Sequence, residues 1–230
     1  MKLSIIIPAF NEVENIETVI DAVRAVDISP WEKEIIVVDD GSTDGTSEKL
    51  EKYKDNTAGV RVHTSVLNFG KGTAIRIGLK YATGDYVLIQ DADLEYSPDQ
   101  YPSLLKPITE NKAQVVYGSR FRGKIENMQF ANLFANKFLT AETNVLFRTG
   151  ITDVFTCYKV FDRNLINSLN LRCQRFEFCQ EVTAKVAKKG VKITEVPIEY
   201  KGRNYGEGKK IGARDGFEAM WTLIKYRIVN

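Results

Sequence analysis

A mostly parallel α/β sheet with helices on both faces is the fold class that this sequence predicts, and three observations predict it. Short, fully apolar, β-branched runs alternate with helical patterns through the first half of the chain. Such runs flanked by helices fit neither an all-β nor a helix-bundle architecture. The residues with unusual chemistry fall where the runs end, the edge at which open parallel sheets bind ligands.

The elements follow in order. Leu3–Ile7 is β-branched and stops at Pro8, so it reads as a buried strand. Across 12–26, Val13, Ile16, Val19-Ile20 and Val23 keep the 3–4 spacing of an amphipathic helix. Glu34–Asp39 is a second strand and 43–54 a second helix. Residues 60–66 make a third strand, 71–82 a helix and Tyr86–Ile89 a fourth strand. A fifth strand, Val115–Tyr117, precedes Gly118-Ser119-Arg120. Beyond 120 the alternation decays into a helix-compatible stretch at 127–148, a strand at 156–161, a helix at 178–189 and a strand at 191–200. A Gly- and Lys-rich loop at 201–212 leads to a final helix at 214–229.

The 230 residues suit one substantial domain, 1–230, and no repeat or linker divides them. With 32 basic and 30 acidic side chains the net charge is +2, which gives no support for a nucleic-acid binder. Aromatic and charged contents of 10% and 27% exclude disorder. The three cysteines, Cys157, Cys173 and Cys179, lack CxxC spacing, which favours a reducing compartment over a disulfide framework or a zinc site. The apolar run at the start breaks at Pro8 without a signal-peptide cleavage site, and no run approaches the ~18–20 residues of a membrane span. A cytoplasmic protein, soluble or peripheral, is the expectation.

Three clusters converge on the edge formed by the strand ends: Pro8–Glu12, Asp39–Gly45 and Asp91–Glu95. Each has a plain structural use, since Asn11, Ser42 and Thr43 make good N-caps and Asp44-Gly45 a good turn. Their coincidence argues for a site. The carboxylates of Asp91, Asp93 and Glu95 at alternate positions repel one another, and a divalent cation, Mg²⁺ or Mn²⁺, relieves that cost. Basic residues supply the complement. Lys71 lies between Gly70 and Gly72 at a helix start, where backbone N–H groups suit an anion. Arg120 falls on the same edge, and Arg203, Lys209, Lys210 and Arg214 share a loop with Gly202, Gly206, Gly208 and Gly212.

Together these residues resemble a known family. Pro8-Ala9-x-Asn11-Glu12, Asp39-Asp40-Gly41-Ser42-x-Asp44, Asn68-x-Gly70-Lys71-Gly72 and Asp91-Ala92-Asp93 look like family 2 glycosyltransferases of the GT-A fold. Gly118-Ser119-Arg120, Thr152-Asp153-x-x-Thr156-x-Tyr158-Lys159, Glu195-Val196-Pro197-Ile198 and Arg203-x-Tyr205-x-Glu207-Gly208-Lys209 look like the polyprenyl- or dolichyl-phosphate mannosyl- and glucosyltransferase branch. The resemblance implies a Rossmann-like nucleotide-sugar half (1–120) and an acceptor half (121–230). It also implies that Pro8, Ala9, Glu12 and Asp39 line the base and ribose, with Asp40 nearby, and that Lys71 and Asp91 face the donor. Asp91, Asp93 and Glu95 would hold the metal, Arg120 would contact the acceptor phosphate, and Arg203 with Lys209 would clamp the diphosphate. Two departures stand out: Glu95 where relatives often have Gln, and Val154-Phe155 where they often have Met-Glu. The transmembrane helices of many full-length relatives have no counterpart in the sequence.

The expected reaction is inverting transfer of a hexose from a GDP-mannose- or UDP-glucose-type donor to a polyprenyl phosphate. A phosphate acceptor has a second pKa near ~6 and needs positioning more than deprotonation. A sugar-hydroxyl acceptor, the alternative, needs a general base, for which Asp153 is the candidate. A sugar nucleotidyltransferase is a second alternative, though Ile7–Asn11 lacks its Gly-rich opening, and a non-catalytic nucleotide-sugar-binding module is a third. His63, the single histidine, reads as structural.

A peripheral membrane contact is also expected. Residues 127–148 hold 12 apolar and three charged side chains, with Phe130, Phe134, Phe138, Ala141 and Val145 on one helical face. The similar stripe of the final helix, Phe217, Met220-Trp221, Ile224 and Ile228, is expected to cover the sheet.

Overall fold

The computed structural model of the protein describes residues 1–54, 59–202 and 213–229. Its strands are β1 (Lys2–Ala9), β2 (Glu32–Asp39), β3 (Val60–Thr64), β4 (Tyr86–Ile89), β5 (Val115–Glu126), β6 (Lys159–Asp162) and β7 (Ile193–Lys201). The helices are α1 (Ile16–Ala25), α2 (Thr46–Leu50), α3 (Lys71–Tyr81), α4 (Tyr101–Thr109), α5 (Phe130–Phe147), α6 (Arg163–Ser168), α7 (Phe178–Lys188) and α8 (Ala213–Ile228).

The described strands form one sheet in the order β3-β2-β1-β4-β6-β5-β7. β1 pairs in parallel with β2 and β4, β2 with β3, and β5 with β7, whereas β6 runs antiparallel to β4 and β5. The sheet is therefore mostly parallel, with one reversed strand that the sequence pattern does not announce. Side chains of β1 alternate between two cores. Leu3, Ile5 and Ile7 meet Ile16, Val19, Ile20 and Val23 of α1 on one face. Ile6 meets Ala74, Ile75 and Leu79 of α3 on the other. Each such buried aliphatic side chain contributes about 1.5–3 kcal/mol.

Several boundaries differ from the expected ones, for physical reasons. Helix α1 begins at Ile16 rather than at 12, because residues 11–13 are tied to the loop after β2. Strand β5 continues past Tyr117, so Arg120 lies inside a strand rather than after one. Helix α4 has no expected counterpart: Pro98, Pro102 and Pro107 mask it, yet Pro102 occupies the first turn, where a missing N–H costs little.

The final helix requires a correction. Ala219, Thr222, Leu223 and Tyr226 form its buried face, whereas Phe217 and Trp221 are 69% and 65% exposed, with Ile224 and Ile228 beside them. Most of the stripe expected to cover the sheet therefore points away from it, and of its members Met220 packs against the core. Helix α8 packs against α5, where Phe130 and Phe134 are 89% and 75% exposed and Phe138, Ala141 and Val145 are exposed too. No described helix is long and apolar enough to cross a membrane.

Candidate active site

In the strand order, β1 leads outward through β2 to β3 on one side, while β4 flanks it on the other. A crevice opens outside the carboxyl ends of strands at such a switch point. A cleft of about 470 Å³ lies there, lined by residues 11–15, Asp44 and Asp93.

The loops after β1 and β2 are laced together. Asn11 adopts φ 52° and donates its N–H to Ser42 Oγ (2.9 Å), and its Oδ1 accepts from Thr43 N (2.8 Å). Glu12 N donates to Thr46 Oγ1 (2.9 Å), Val13 N to Asp44 Oδ2 (3.1 Å), and Thr46 Oγ1 to Asp44 Oδ1 (2.5 Å). Asn11 and Asp44 thus bridge two strand ends, and Asp44 Oδ1 also accepts from Thr46 N (3.0 Å) at the start of α2. Glu12 lines the cleft and its Oε2 accepts from Asn15 Nδ2 (3.0 Å).

The other residues expected on the donor are not among those that line this cleft. Pro8 and Ala9 end β1 opposite Val38 and Asp39, and Ala9 O accepts from Asp40 N (2.8 Å). Asp39 is wholly buried, accepting from Ser42 N (3.1 Å) and from the Ser47 hydroxyl. Asp40 accepts from Phe69 N (3.0 Å) and Gly70 N (2.6 Å), and burial still raises its carboxyl above the ordinary range. Asp40 therefore holds the Asn68–Gly70 loop. This narrows the expectation that the helix start offers its N–H groups to an anion, since Phe69 N and Gly70 N go to Asp40 and Thr73 N goes to Gln174 O (3.0 Å). The glycines serve close packing, since a Cβ on Gly70 or Gly72 would lie 2.6 Å from the carbonyl oxygen of Gln174 or Cys173.

Lys71 turns inward. Its Nζ lies 2.5 Å from Asp91 Oδ1 and 3.3 Å from Cys157 Sγ. Burial opposes both charges, yet the pairing outweighs it, lowering the Asp91 carboxyl and raising the Lys71 ammonium. Burial also pushes the Cys157 thiol up to about 12, so it stays protonated at neutral pH. Asp93 lies on the cleft wall, its Oδ1 accepting from Glu95 N (3.2 Å) across the turn at Leu94, φ 59°. Glu95 Oε2 accepts from Tyr200 Oη (2.9 Å).

The three acidic side chains expected to share a metal thus do not converge. Among the described residues no group of three or more His, Cys, Asp or Glu side chains is placed to hold an ion. The donor chemistry still fits Mg²⁺ or Mn²⁺ at the cleft, because such ions bind through one or two carboxylates completed by substrate phosphates. Asp93 is the carboxylate of the trio that lines the cleft.

Arg120 departs from its expected exposure. Its side chain is 7% exposed, and Nε and Nη2 bond Asp153 Oδ2 and Oδ1 at 2.7 and 2.8 Å. The guanidinium also lies over the rings of Tyr200 and Phe121. Asp153, fully buried, accepts from Arg120 N as well, and Glu195 anchors its loop through Thr152 N (2.8 Å) and Asp153 N (3.1 Å). An acceptor would find neither a free guanidinium in Arg120 nor an accessible base in Asp153. Arg203, Lys209 and Lys210 lie outside the described residues, as does the side chain of Arg214. His63 sits in β3, its Nδ1 3.3 Å from Tyr81 Oη, in keeping with a structural role.

Two positioning residues escape a pattern-based reading. Gln90, wholly buried, accepts from Tyr101 Oη and Tyr158 Oη, both 2.8 Å, and donates to Asp91 O (2.9 Å) and Tyr96 O (3.3 Å). It fixes the turn that carries Asp93, and its signal was a lone amide ending an apolar strand. Tyr200, the other, gives no local signal.

A mostly parallel sheet with an acid-lined cleft at its switch point defines an α/β protein with a candidate ligand site at its strand ends. Residues 4–169 match the model of glycosyl transferase family 2, and the chain belongs to that family. It is 30% identical to a dolichol-phosphate mannosyltransferase of Pyrococcus furiosus over 92% of its own length and 60% of that relative. An undecaprenyl-phosphate mannosyltransferase of Micrococcus luteus is 27% identical, with 99% of both chains covered. The chain spans 53–62% of the length of three other relatives, the Pyrococcus enzyme included. Glucosyl-3-phosphoglycerate synthase from Mycobacterium tuberculosis, crystallised with Mn²⁺, UDP-glucose and phosphoglyceric acid, has the same fold. Its TM-score is 0.76 at 20% identity, covering all of this chain and 80% of that one.

Proposed function

We propose that this glycosyltransferase moves a hexose, with inversion, from a GDP-mannose- or UDP-glucose-type donor to a polyprenyl phosphate. The observation that carries the reading is the placement of Asp93 and Glu12 on one cleft at the β1–β4 switch point. The relatives named for dolichol-phosphate and undecaprenyl-phosphate mannosyl transfer support the choice of acceptor.

A divalent cation, Mg²⁺ or Mn²⁺, would offset the charge that develops on the departing nucleoside diphosphate. The chain's own residues orient the donor: the laced loops at 11–13 and 42–46 shape the wall, and Gln90 sets the turn bearing Asp93. Arg203 and Lys209 remain the proposed clamp on the diphosphate. The burial of Asp153 favours a phosphate acceptor, which needs no base, over a sugar hydroxyl, which does. Family membership sets aside the nucleotidyltransferase alternative.

The exposed faces of α5 and α8 form the proposed contact with a membrane surface, from which a lipid acceptor must arrive. Bulky aromatic side chains are bordered by exposed Lys137, Arg148, Lys225 and Arg227, a combination suited to an interface with anionic headgroups.

Purified protein, assayed with a panel of UDP- and GDP-sugars, Mg²⁺ or Mn²⁺ and a polyprenyl phosphate, should show transfer with one donor. Transfer to free glycans but never to the lipid phosphate would overturn the reading. In liposome sedimentation, wild type should pellet with anionic vesicles and a Phe130→Ser/Phe134→Ser variant should not. Wild type remaining in the supernatant would refute the membrane contact.

A further inference from the structure

Asp91 and Asp93 stand two residues apart at the end of β4, and the fold treats them differently. Asp93 borders the cleft, whereas Asp91 is engaged at 2.5 Å by an ammonium brought from the start of α3. That ammonium is held in place from several directions. Asp40 fixes the preceding backbone through Phe69 N and Gly70 N, Thr73 N is tied to Gln174 O, and Gly70 and Gly72 allow α3 to seat against 173–175. The neutral Cys157 thiol closes one side of the pair. Both side chains are largely shielded, at 16% and 13% exposure, so the interaction is stronger than at an open surface.

We propose that Lys71 is a positioning residue that holds Asp91 out of the metal's coordination shell and leaves Asp93 as the carboxylate of that pair which meets the ion. A metal competing for Asp91 would have to displace the ammonium and leave it shielded without a counter-charge, a cost that disfavours the exchange. The gain is geometric: an anchored Asp91, together with the Gln90 bond to its carbonyl, fixes the direction in which Asp93 leaves the strand. The proposal rests on the metal-dependent reading of the cleft, and its test separates the two.

Mn²⁺ binding in the presence of UDP or GDP is followed by the electron paramagnetic resonance signal of the free ion, alongside circular dichroism to confirm folding. Asp93→Asn should weaken Mn²⁺ binding by about tenfold or more, while Asp91→Asn should change it by less than about threefold. Lys71→Met frees a carboxylate and should tighten Mn²⁺ binding in the nucleotide-free protein by about threefold or more, because ligand charge sets affinity. Turnover should fall in that same variant, and Lys71→Arg, which keeps the positive charge, should bring the Mn²⁺ affinity back towards the wild-type value. Equal losses in Asp91→Asn and Asp93→Asn would overturn the proposal while leaving the metal reading intact. So would a folded Lys71→Met protein whose Mn²⁺ affinity is unchanged or weaker. Failure of wild type to bind Mn²⁺ with either nucleotide would overturn both.

Discussion

The two ends of the same sheet use carboxylates in opposite ways. At the amino-terminal ends of β1 and β2, Glu34 accepts from Lys2 Nζ (2.7 Å), Ser4 Oγ (2.6 Å), Thr83 N (2.6 Å), Thr83 Oγ1 (2.8 Å) and Gly84 N (3.1 Å). At the carboxyl-terminal ends, Asp93 and Glu12 border a cleft of about 470 Å³. Glu34 stitches β1, β2 and the approach to β4 together, an architectural task completed within the chain. At the opposite end the carboxylates line a cleft with room for a ligand. Function follows from what surrounds a carboxylate, and charge alone does not reveal it.

The sharpest way to break this comparison is at the cleft. Asp93→Ala should abolish transfer, by about 10⁴-fold or more, since that corresponds to about 5 kcal/mol of lost transition-state stabilisation. The melting temperature should stay within a few degrees of wild type, as expected of a cleft-wall side chain. Activity that survives both the substitution and EDTA would remove the metal from the reaction.

The pair Arg120–Asp153 sharpens the comparison, because Arg120 was expected at the acceptor phosphate yet the pair is closed within the chain, like Glu34. Arg120→Ala should destabilise the fold by about 3–5 kcal/mol, the usual cost of stranding one partner of a buried pair. Denaturant unfolding measures this directly. An Arg120→Met/Asp153→Leu double variant should recover much of the loss, because neither charge is then stranded. If Arg120→Ala unfolds like wild type but raises the KM for lipid phosphate, the arginine faces the acceptor after all.

The division between legible and illegible features has a physical basis. Strands β1, β2 and β4 were readable because burial on both faces demands apolar runs such as Leu3–Ile7 and Tyr86–Ile89, whereas the edge strand β3 shows only the alternation of Val60 and Val62 with polar residues. The acidic strand ends were readable for the same reason, as interruptions of those runs. The exposed face of α5 was readable from the spacing of Phe130, Phe134 and Phe138. Pairings across the chain were not. Lys71 meets Asp91 and Arg120 meets Asp153 only because the sheet order brings α3, β4, β5 and the loop before β6 together, and no local pattern encodes that. Helix α8 shows the same limit. Two apolar stripes run along it, and the packing partners decide which one is covered.

At the architectural end, Glu34 gives a pH signature. Burial would raise its carboxyl, but the bonds from Lys2, Ser4 and Thr83 prevail and lower it from 4.5 to about 2. A depressed folded-state pKa means stabilisation that is fully present above about pH 4.5 and is lost as pH falls towards about 2. Glu34→Gln should therefore cost on the order of 2–3 kcal/mol at neutral pH, and much less at pH 2. Chemical unfolding at several pH values checks this. An equal cost at both pH values would show that shape, and not charge, sets the role of Glu34. Transfer at neutral pH should be retained in the folded variant.

The smallest effect is expected where the two kinds of region meet, at Tyr200. Its ring lies against the Arg120 guanidinium, 5.2 Å from centroid to charge, and its hydroxyl donates to Glu95 Oε2 at 2.9 Å. One residue further on, Lys201 N donates to Glu95 O (3.1 Å), so β7 holds the acidic turn by both backbone and side chain. Tyr200→Phe keeps the ring and the backbone bond and removes only the hydroxyl. A single hydrogen bond to a charged group contributes about 1.5–3 kcal/mol, and the backbone tie limits how far the turn can relax. Transfer should drop by about tenfold at the lower end of that range, through kcat and without a rise in donor KM. The melting temperature should fall far less than in Arg120→Ala, because the stacked ring remains. A loss as deep as that of Asp93→Ala would mean that Tyr200 touches the reacting groups, and the line between anchoring and catalytic side chains would then run through Tyr200 itself.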